Sequence, residues 1–205
     1  MKKIRIFFFC LLFVFISSLV HAKVNVSGFV ILNNGDTLKG KITIRVYIDI
    51  PILTDLFHEV TFLQDNKKKI RYYPKDLKGF GLEVDSVYLY FVSKKVSKRL
   101  LPYGETEIFL RIVEKGYLSL FEFQTDDDKT LGRFYIEYLI QKEEEDLFFL
   151  DSGYIWENMI KYLEKFFGDE TELFQRMKNA RKLYSKIPQF TKEYNQKKRD
   201  KNNTK

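Results

Sequence analysis

The stretch GFVILNNGDTLKGKITIRVYI, from Gly28 to Ile48, decides the fold because it joins two apolar runs through a polar turn. After the turn, the even-numbered positions 38 to 48 read Leu, Gly, Ile, Ile, Val and Ile, whereas the odd-numbered positions 37 to 47 read Thr, Lys, Lys, Thr, Arg and Tyr. Alternation with a period of two is typical of a β-strand that buries one side and exposes the other. The stretch therefore predicts a strand with one core face and one polar face.

The turn at Asn34-Gly35 predicts how the two strands pair. This dipeptide is the preferred two-residue loop of a type I′ turn, because both central positions need positive φ. Such a loop predicts that Ile31 lies opposite Leu38 and that the ring of Phe29 covers Gly40. A phosphate-binding loop would lead from a strand into a helix, so this stretch is interpreted as a hairpin.

Further strands follow in antiparallel pairs joined by short polar loops. The strand pattern recurs at residues 59–64, 69–73, 77–84, 87–93, 108–114, 117–124, 133–141 and 146–150. Asp85-Ser86 and Lys115-Gly116 are predicted to be two-residue hairpin loops. A basic stretch that contains Pro102 and Gly104 interrupts the pattern and predicts a connection between two halves.

The spacing of apolar residues changes to that of a helix after residue 154. Apolar residues at positions 155, 159, 160, 163, 166 and 167 predict a first helix, with Gly168 just beyond its end. Asp169 and Glu172 resemble a capping box for a second helix, which carries Leu183. Pro188 is predicted to be the first residue of a third, short helix.

The order of these elements predicts an α+β protein, mostly antiparallel β in two small sheet-like or barrel-like units, followed by two to three C-terminal helices. The predicted boundaries are a signal peptide over residues 1–22, an N-terminal β unit over 23–93, a connection over 94–106, a β-meander with the helices over 107–195, and a disordered basic tail over 196–205. The tail is assigned because QKKRDKNNTK contains no apolar residue that a core could bury.

The first 22 residues have the layout of a secretory signal peptide. Lys2, Lys3 and Arg5 precede an apolar run from Ile6 to Ile16, and the segment ends in Val-His-Ala. The run is too short to cross ~30 Å of hydrocarbon, which needs about 20 helical residues. We expect cleavage after Ala22, a periplasmic or cell-surface location, and no transmembrane segment once the signal is removed.

The formal charge of +7 lies at the ends of the chain. The predicted signal carries three of these charges and Thr191 to Lys205 carries a net four, which leaves the body between them neutral. A nucleic-acid-binding protein concentrates its cations on a folded face, so the sequence argues against a nucleic-acid partner. For the basic tail, weak attraction to anionic surfaces is the functional interpretation, and a solvated terminus is the alternative.

The residue types present exclude several chemistries. Cys10 lies within the predicted signal, so the rest of the chain has no thiol for catalysis, disulfides or metal binding. His58 is the one histidine outside the signal, and a single histidine cannot form a histidine-based zinc site. We interpret it as an ordinary residue at the start of a strand, and we expect no cofactor and no metal site.

Two acidic clusters, Asp126 to Asp128 and Glu143 to Asp146, keep one catalytic alternative open. Glycoside hydrolases use a pair of carboxylates that flank the scissile bond. Both clusters fall in predicted hairpin loops, where solvated charge is common. The sequence therefore favours a non-catalytic protein, and a hydrolase of envelope polysaccharide is the alternative.

Aromatic residues are abundant, with 20 Phe and 13 Tyr. Most of them fall on the apolar side of strands and helices, which predicts a place in the core. Tyr47 and Tyr73 fall on the polar side, where an exposed ring can contact a sugar or a protein. These two tyrosines are the candidate surface contacts.

Several motifs resemble those of exported proteins of unknown function that are widespread in Bacteroidetes-type bacteria. The resemblance is carried by the Gly-Asp-Thr-Leu-x-Gly hairpin from Gly28 to Ile42, by Tyr73 to Phe80, by Phe109 to Val113 with Gly116, and by Tyr194-Asn195. It implies an exported envelope protein and provides no catalytic residue. We therefore expect a binding or interaction module of the cell envelope, whose partner is a protein or a glycan.

Overall fold

The computed structural model describes residues 22–47, 50–64, 68–96, 107–126, 134–143, 145–150 and 156–203. For residues 47, 125, 126, 134, 156 and 157 it describes the backbone only. The predicted signal lies outside these ranges except for Ala22. The chain divides after Leu89 into two units, which are taken in turn below.

The first unit is an antiparallel sheet. Its strands are β1 (Ala22–Leu32), β2 (Thr37–Tyr47), β3 (Ile50–Ile52), β4 (Val60–Leu63), β5 (Lys69–Tyr72) and β6 (Leu77–Val84). They follow the spatial order β6-β1-β2-β4-β5, and β3 also pairs with β2. Short 3-10 turns at Thr54–Phe57 and Pro74–Asp76 precede β4 and β6. The alternation in β2 is confirmed, because Ile42 and Ile44 are buried while Lys39 and Lys41 are exposed.

The hairpin between β1 and β2 is confirmed, but its predicted register is wrong by one residue. Ile31 pairs with Thr37, and Gly28 pairs with Gly40. Three residues, 33–35, lie between Leu32 and Asp36, whose backbones are joined by a hydrogen bond, and of these only Gly35 has positive φ (98°), as in a type I turn followed by a bulge. Asn34 Oδ1 accepts from the Asp36 N–H at 3.0 Å, a side-chain bond that favours this longer turn over the two-residue form.

Phe62 on β4 covers Gly40, a role that the sequence assigned to Phe29. A Cβ atom at position 40 would lie 2.6 Å from Phe62 Cζ and 2.5 Å from the Leu63 carbonyl oxygen. Phe29 instead lies opposite Gly81 of β6. Gly40 is therefore required by the close approach of β4.

The turn at Asp85-Ser86 matches its prediction. Asp85 has a φ of 50° and Ser86 a φ of 65°, so both central positions are left-handed, as a type I′ turn demands. The turn leads into β7 (Val87–Lys95), which carries the chain from the first unit into the second. The predicted connection over residues 94–106 begins later, because Lys94 and Lys95 belong to β7, and residues 97–106 lie outside the described ranges.

The second unit is an antiparallel meander followed by three helices. After β7 come β8 (Glu107–Glu114), β9 (Leu118–Asp126), β10 (Phe134–Lys142) and β11 (Phe148–Leu150), each paired with the strand before it. The helices are α1 (Trp156–Phe167), α2 (Thr171–Lys178) and α3 (Leu183–Asn203). The predicted α+β class, with antiparallel strands first and helices last, is confirmed.

The helices cover one side of this meander. The shared core combines strand residues with residues from all three helices, including Leu118, Leu120, Tyr138, Ile140, Leu150, Leu163, Phe167, Leu173, Met177, Ile187 and Tyr194. Full burial of a large apolar side chain contributes about 1.5–3 kcal/mol, so these residues account for the position of the helices.

The helix boundaries in the structure differ from the predicted ones in three places. Leu183 begins α3, although the prediction placed it in the second helix. Pro188 lies inside α3, where it lacks the N–H that would donate to the carbonyl four residues earlier, and does not begin a helix. The predicted capping box is absent, because Glu170 is the N-cap of α2 and makes no side-chain cap bond.

The basic tail also differs from its prediction. Residues 196–203 continue α3, although no apolar residue follows Asn195. Lys198 Nζ lies 2.7 Å from Asp169 Oδ2 and 3.2 Å from Glu170 Oε1, and Lys201 Nζ lies 2.6 Å from the same Glu170 atom. The composition argument considered only apolar burial and missed this pairing of lysines with two carboxylates at the start of α2.

Asn195 fastens α3 to the loop between β8 and β9. Its Oδ1 accepts from the Leu118 N–H and its Nδ2 donates to the Leu118 carbonyl, both at 2.8 Å. A Cβ atom on Gly116 would lie 2.6 Å from Asn195 Cγ, so glycine is needed there. The loop has three residues, Lys115 to Tyr117, where the sequence predicted two.

Candidate functional site

The solvent-facing side of the first unit carries most of its exposed cations. The odd-numbered residues of four neighbouring strands point to this side, which we call the polar face. Its polar residues are Lys23, Asn25 and Ser27 of β1, Lys39, Lys41, Thr43 and Arg45 of β2, Thr61 of β4, and Lys69 and Arg71 of β5, and the apolar Phe29 and Leu63 share the same side. Two carboxylates, Asp55 and Glu59, lie beside three of these six cations, Lys23, Arg45 and Arg71. The polar face is therefore strongly cationic, although the whole body of the chain is neutral.

Strand pairing arranges the polar face in rows. Asn25, Thr43, Thr61 and Arg71 follow one another across β1, β2, β4 and β5. Thr43 Oγ1 donates to Asn25 Oδ1 at 2.7 Å. Neighbouring strands lie about 4.8 Å apart, so each row presents a polar group at that spacing. The centre of the face consists of amide and hydroxyl groups, with cations around them.

A small pocket opens on the polar face. Its volume is about 70 Å³, and its polar lining is Lys23, Thr43, Arg45, Asp55, Glu59, Thr61 and Arg71. Ile44, Ile52 and Leu56 complete the lining. The pocket thus brings together β1, β2, β3, β4, β5 and the 3-10 turn before β4.

Arg45 is held at the pocket by the 3-10 turn. Its Nη2 donates to Asp55 Oδ1 at 2.6 Å and lies 3.4 Å from Thr54 Oγ1. Its Nε lies 2.5 Å from Asp55 Oδ2, but this oxygen is off the line of the N–H. Within the described part of the chain, the buried Nε–H has no aligned acceptor. Both nitrogens thus face the Asp55 carboxylate, which fixes the Arg45 side chain at the pocket.

Arg71 is the second arginine that lines the pocket. Its side chain is 59% exposed, and Nε lies 3.5 Å from Glu59 Oε1. A hydrogen bond with the Tyr73 side chain, and then the charge of Glu59, raise the pKa of Arg71 above its ordinary value. Arg71 is therefore a permanent cation, and its loose pairing with Glu59 leaves guanidinium N–H groups for other acceptors.

Lys23, Lys39, Lys41 and Lys69 have no ion-pair partner among the residues that the structure describes. Lys23 lies opposite Arg45 in the pairing of β1 with β2, which places it at the pocket. The charge of the polar face is thus compensated only at Arg45 and Arg71.

The two candidate tyrosines both belong to the first unit. Tyr73 is 43% exposed, and its backbone N–H donates to Asp76 Oδ2 at 2.9 Å at the start of a 3-10 turn. Its ring borders the polar face through the hydrogen bond with Arg71. The backbone of Tyr47 ends β2 opposite Ile50, and its side chain is outside the described residues.

Other exposed rings were missed by the sequence analysis. Tyr88, Tyr90 and Tyr135 are each about half exposed, on β7 and β10. The alternation of these strands was the available signal, since Tyr88 and Tyr90 share one side of β7 whereas Phe91 is buried on the other.

The structure describes the predicted acidic clusters only in part, and the side chain of Asp126 lies outside the described residues. Glu143, Glu145 and Asp146 are exposed near the loop between β10 and β11, and residues 127, 128 and 144 lie outside the described ranges. His58 follows the 3-10 turn, as expected for a residue at a strand start, and its N–H donates to the Asp55 carbonyl at 3.1 Å. Within the described ranges, no group of three or more histidine, cysteine or acidic side chains is arranged to hold a metal ion.

Buried polar groups of the second unit are occupied by one another. Arg111 pairs with Glu122, which is 2% exposed, and Gln124 Nε2 donates to Glu122 Oε1 at 2.6 Å. The Tyr184 hydroxyl lies 2.9 Å from both Glu137 Oε2 and the Leu150 carbonyl. These bonds join strands to one another and to α3, and we assign them a structural role.

A wider groove of about 640 Å³ lies between α2 and α3. Arg176 lines it, and both of its terminal nitrogens are engaged by Glu193 at 2.5 and 2.9 Å. The groove is broad, and the Arg176 guanidinium that lines it is already bound by Glu193.

In the ranges that the structure describes, no helix has both the length and the apolar character needed to cross a membrane. No family model, curated protein or solved structure matches the chain. The argument for function therefore depends on the polar face.

Proposed function

We propose that this protein is an exported, non-catalytic binding protein of the cell envelope and that its polar face binds an acidic glycan. The observation that carries the proposal is a set of six cations around a centre of amide and hydroxyl side chains, of which only Arg45 and Arg71 are paired with a carboxylate among the described residues. Cations supply attraction to an acidic polymer, and the central groups can both donate to and accept from sugar hydroxyls.

A glycan suits the polar face better than a protein does. Protein interfaces have a core enriched in aromatic and apolar residues, and their affinity comes from such anchors. The centre of the polar face instead contains Asn25, Thr43 and Thr61, and its exposed ring, Tyr73, lies at the border. An exported location also supports a glycan partner, since the signal-peptide layout and the family resemblance imply the envelope.

Binding without hydrolysis is favoured over the hydrolase alternative. Asp55 and Glu59 line one pocket, but Asp55 is bound by Arg45 and Glu59 is paired with Arg71. A glycosidase needs one carboxylic acid to protonate the leaving oxygen and a second carboxylate to act on the sugar. Carboxylates occupied by arginines do not supply that pair.

Binding to polygalacturonate tests the glycan proposal. We expect the purified protein to bind this acidic polymer, to bind neutral dextran far more weakly, and to lose affinity as salt rises from 20 to 300 mM, about a Debye length of 20 Å to 6 Å. The triple substitution Lys39→Gln, Lys41→Gln and Lys69→Gln should weaken binding at least tenfold, because it removes three cations of the polar face.

The matched control is the triple substitution Lys115→Gln, Lys186→Gln and Lys192→Gln, which removes three exposed lysines of the second unit. It changes the net charge equally and should leave affinity within about threefold. Equal losses in the two variants would mean that net charge, and no particular face, governs binding. Tighter binding of single-stranded DNA than of polygalacturonate would overturn the glycan assignment in favour of nucleic acid.

Export has a separate test. The protein recovered from the envelope fraction of its native host should have the mass of a chain that begins at Lys23. Recovery from the cytoplasm with Met1 or Lys2 at its N-terminus would refute export.

A further inference from the structure

We infer that the pocket on the polar face is the subsite for one oxyanion of the glycan, a carboxylate or a sulfate, with Arg71, Lys23 and Thr61 as its direct contacts. The inference rests on the proposed function, and it adds the chemical group that the site selects. It concerns local contacts, whereas the proposed function concerns the charge of the whole face.

The size of the pocket suits a small group. About 10–15 Å³ holds one water molecule, so a volume of about 70 Å³ admits a group of a few heavy atoms. A charged substituent of a sugar can enter while its ring stays on the surface of the sheet. The neighbouring hydroxyl and amide groups of Thr43 and Asn25 are then placed to meet the ring.

The balance of donors and acceptors in the pocket favours an anion. Asp55 is neutralised by Arg45, and Glu59 by Arg71. What remains is the Lys23 ammonium and the other N–H groups of Arg71. These groups only donate hydrogen bonds, so the fitting ligand is a group that only accepts them.

Arginine is the residue that gives the pocket its selectivity. A guanidinium offers paired, parallel N–H donors that match the two oxygens of a carboxylate or sulfate. An ammonium has the same charge but no such fork. Exchanging arginine for lysine therefore separates direct recognition at the pocket from the general attraction of the polar face.

The test compares Arg71→Lys with Lys69→Arg. Both residues lie on β5 and face the same side, two positions apart, and only Arg71 lines the pocket. Neither substitution changes the net charge. We expect Arg71→Lys to weaken binding of a galacturonate trimer at least fivefold and Lys69→Arg to change it less than twofold.

A second pair of variants removes hydroxyl groups. Thr61→Val keeps the shape of the side chain and should weaken trimer binding two- to fivefold, because the pocket loses a hydrogen bond. Ser27→Ala removes a hydroxyl of the polar face outside the pocket and should have no measurable effect. Thermal unfolding within about 2 °C of the wild type confirms that each variant is folded.

The probes distinguish the two sources of the oxyanion. A galacturonate trimer presents carboxylates, a sulfated chondroitin oligosaccharide presents both groups, and a galactose trimer presents neither. If Arg71→Lys weakens binding of the galacturonate trimer, the preferred group is a carboxylate. If it weakens binding of the chondroitin oligosaccharide alone, the preferred group is a sulfate.

If polygalacturonate binds and Arg71→Lys and Lys69→Arg have equal effects on the trimer, the subsite is refuted and the proposed function stands. If the wild-type protein binds no acidic glycan, both are refuted.

Discussion

At the scale of single residues, Asn195 shows how a helix can complete a sheet. Its amide bonds both the N–H and the carbonyl of Leu118, as the backbone of a neighbouring strand would. The side chain is 1% exposed and lies against Gly116. Gly116 and Tyr194-Asn195 carried part of the family resemblance, and the structure gives them a packing role.

The first prediction concerns Asn195→Ala. The substitution leaves the buried N–H and carbonyl of Leu118 without partners, which should lower the free energy of unfolding by about 2–4 kcal/mol, one to two unsatisfied groups. Urea denaturation monitored by circular dichroism measures it. Asn202→Ala, at an exposed position near the end of α3, is the control and should change the stability by less than about 0.5 kcal/mol. A similar loss in both variants would refute the role assigned to the amide.

At the scale of elements, the last turns of α3 are bound to the start of α2 by charge. Glu170 is 7% exposed and pairs with Lys198 and Lys201. Lys198 also lies over the rings of Tyr117 and Tyr194, at 5.6 and 5.2 Å from the ring centroids. The alkyl stem and the ammonium group of one lysine thus link a loop, a helix start and a helix end.

The second prediction follows from this pairing. Deletion of the residues after Asn195 should lower the free energy of unfolding by roughly 1–3 kcal/mol, because it leaves a buried carboxylate without its cations. Deletion after Lys201 keeps both lysines and should cost less than about 0.5 kcal/mol. Urea denaturation of the two shortened proteins measures the difference in their free energies of unfolding. Equal stability would support the interpretation of residues 196–203 as a solvated tail.

The third prediction is a pH dependence. Burial opposes the charged form of Asp169, but Lys198 outweighs it and lowers the pKa of Asp169. The hydrogen bond from Lys201 lowers the pKa of Glu170 against the opposing effect of burial. Groups with a lowered pKa in the folded state stabilise the protein above their ordinary pKa, and this stability is lost as the pH falls below about 4.

Urea denaturation between pH 6 and pH 3 tests this dependence. Asp169→Asn should be less stable than the wild type at pH 6, and the difference should shrink towards pH 3. Glu172→Gln, at a well exposed neighbouring position, should run parallel to the wild type. A difference between Asp169→Asn and the wild type that stays constant with pH would contradict the pKa argument.

The elements also show where sequence reasoning succeeds. Strand alternation predicted which side of β2 is buried, and the spacing of the flanking strands predicted the two-residue loop at Asp85-Ser86, because both depend on residues close in the chain. The register at Gly35 failed because side-chain bonds of the turn favoured a longer loop. The predictions for Pro188 and the basic tail were wrong because the contacts that hold these segments come from residues distant in the sequence.

The candidate site, like the fold, could be predicted from the sequence only in part. Alternation marks the polar side of β2, and the exposure of Tyr73 was predicted from its phase. The pocket was not predictable, because Lys23, Asp55 and Arg71 come from separate elements whose pairing determines that they meet.

At the scale of the whole molecule, charge segregation matters more than net charge. From the sequence, the excess of cations is assigned to the termini, and the body of the chain is predicted to be neutral. Within the first unit, however, strand alternation collects six cations on one side, and four of them have no ion-pair partner among the residues that the structure describes. A neutral total therefore does not exclude a strongly charged surface.

Lys23 connects the pocket to the making of the protein. It lines the pocket, and the predicted cleavage after Ala22 would make it the first residue of the mature chain. Cleavage creates an α-ammonium group, whose ordinary pKa is about 7.7–8.0. The precursor would lack this cation, so the oxyanion site would be completed only when the leader is removed.

Such a maturation step has a measurable signature. A chain that starts at Lys23 should bind the galacturonate trimer several times more tightly at pH 6.5 than at pH 9, because deprotonation removes the new cation. A chain with two extra residues before Lys23 should bind more weakly at pH 6.5 and depend less on pH. Identical curves would show that the new terminus takes no part. If the two curves differ as expected, removal of the leader peptide completes the binding site, in addition to its part in export.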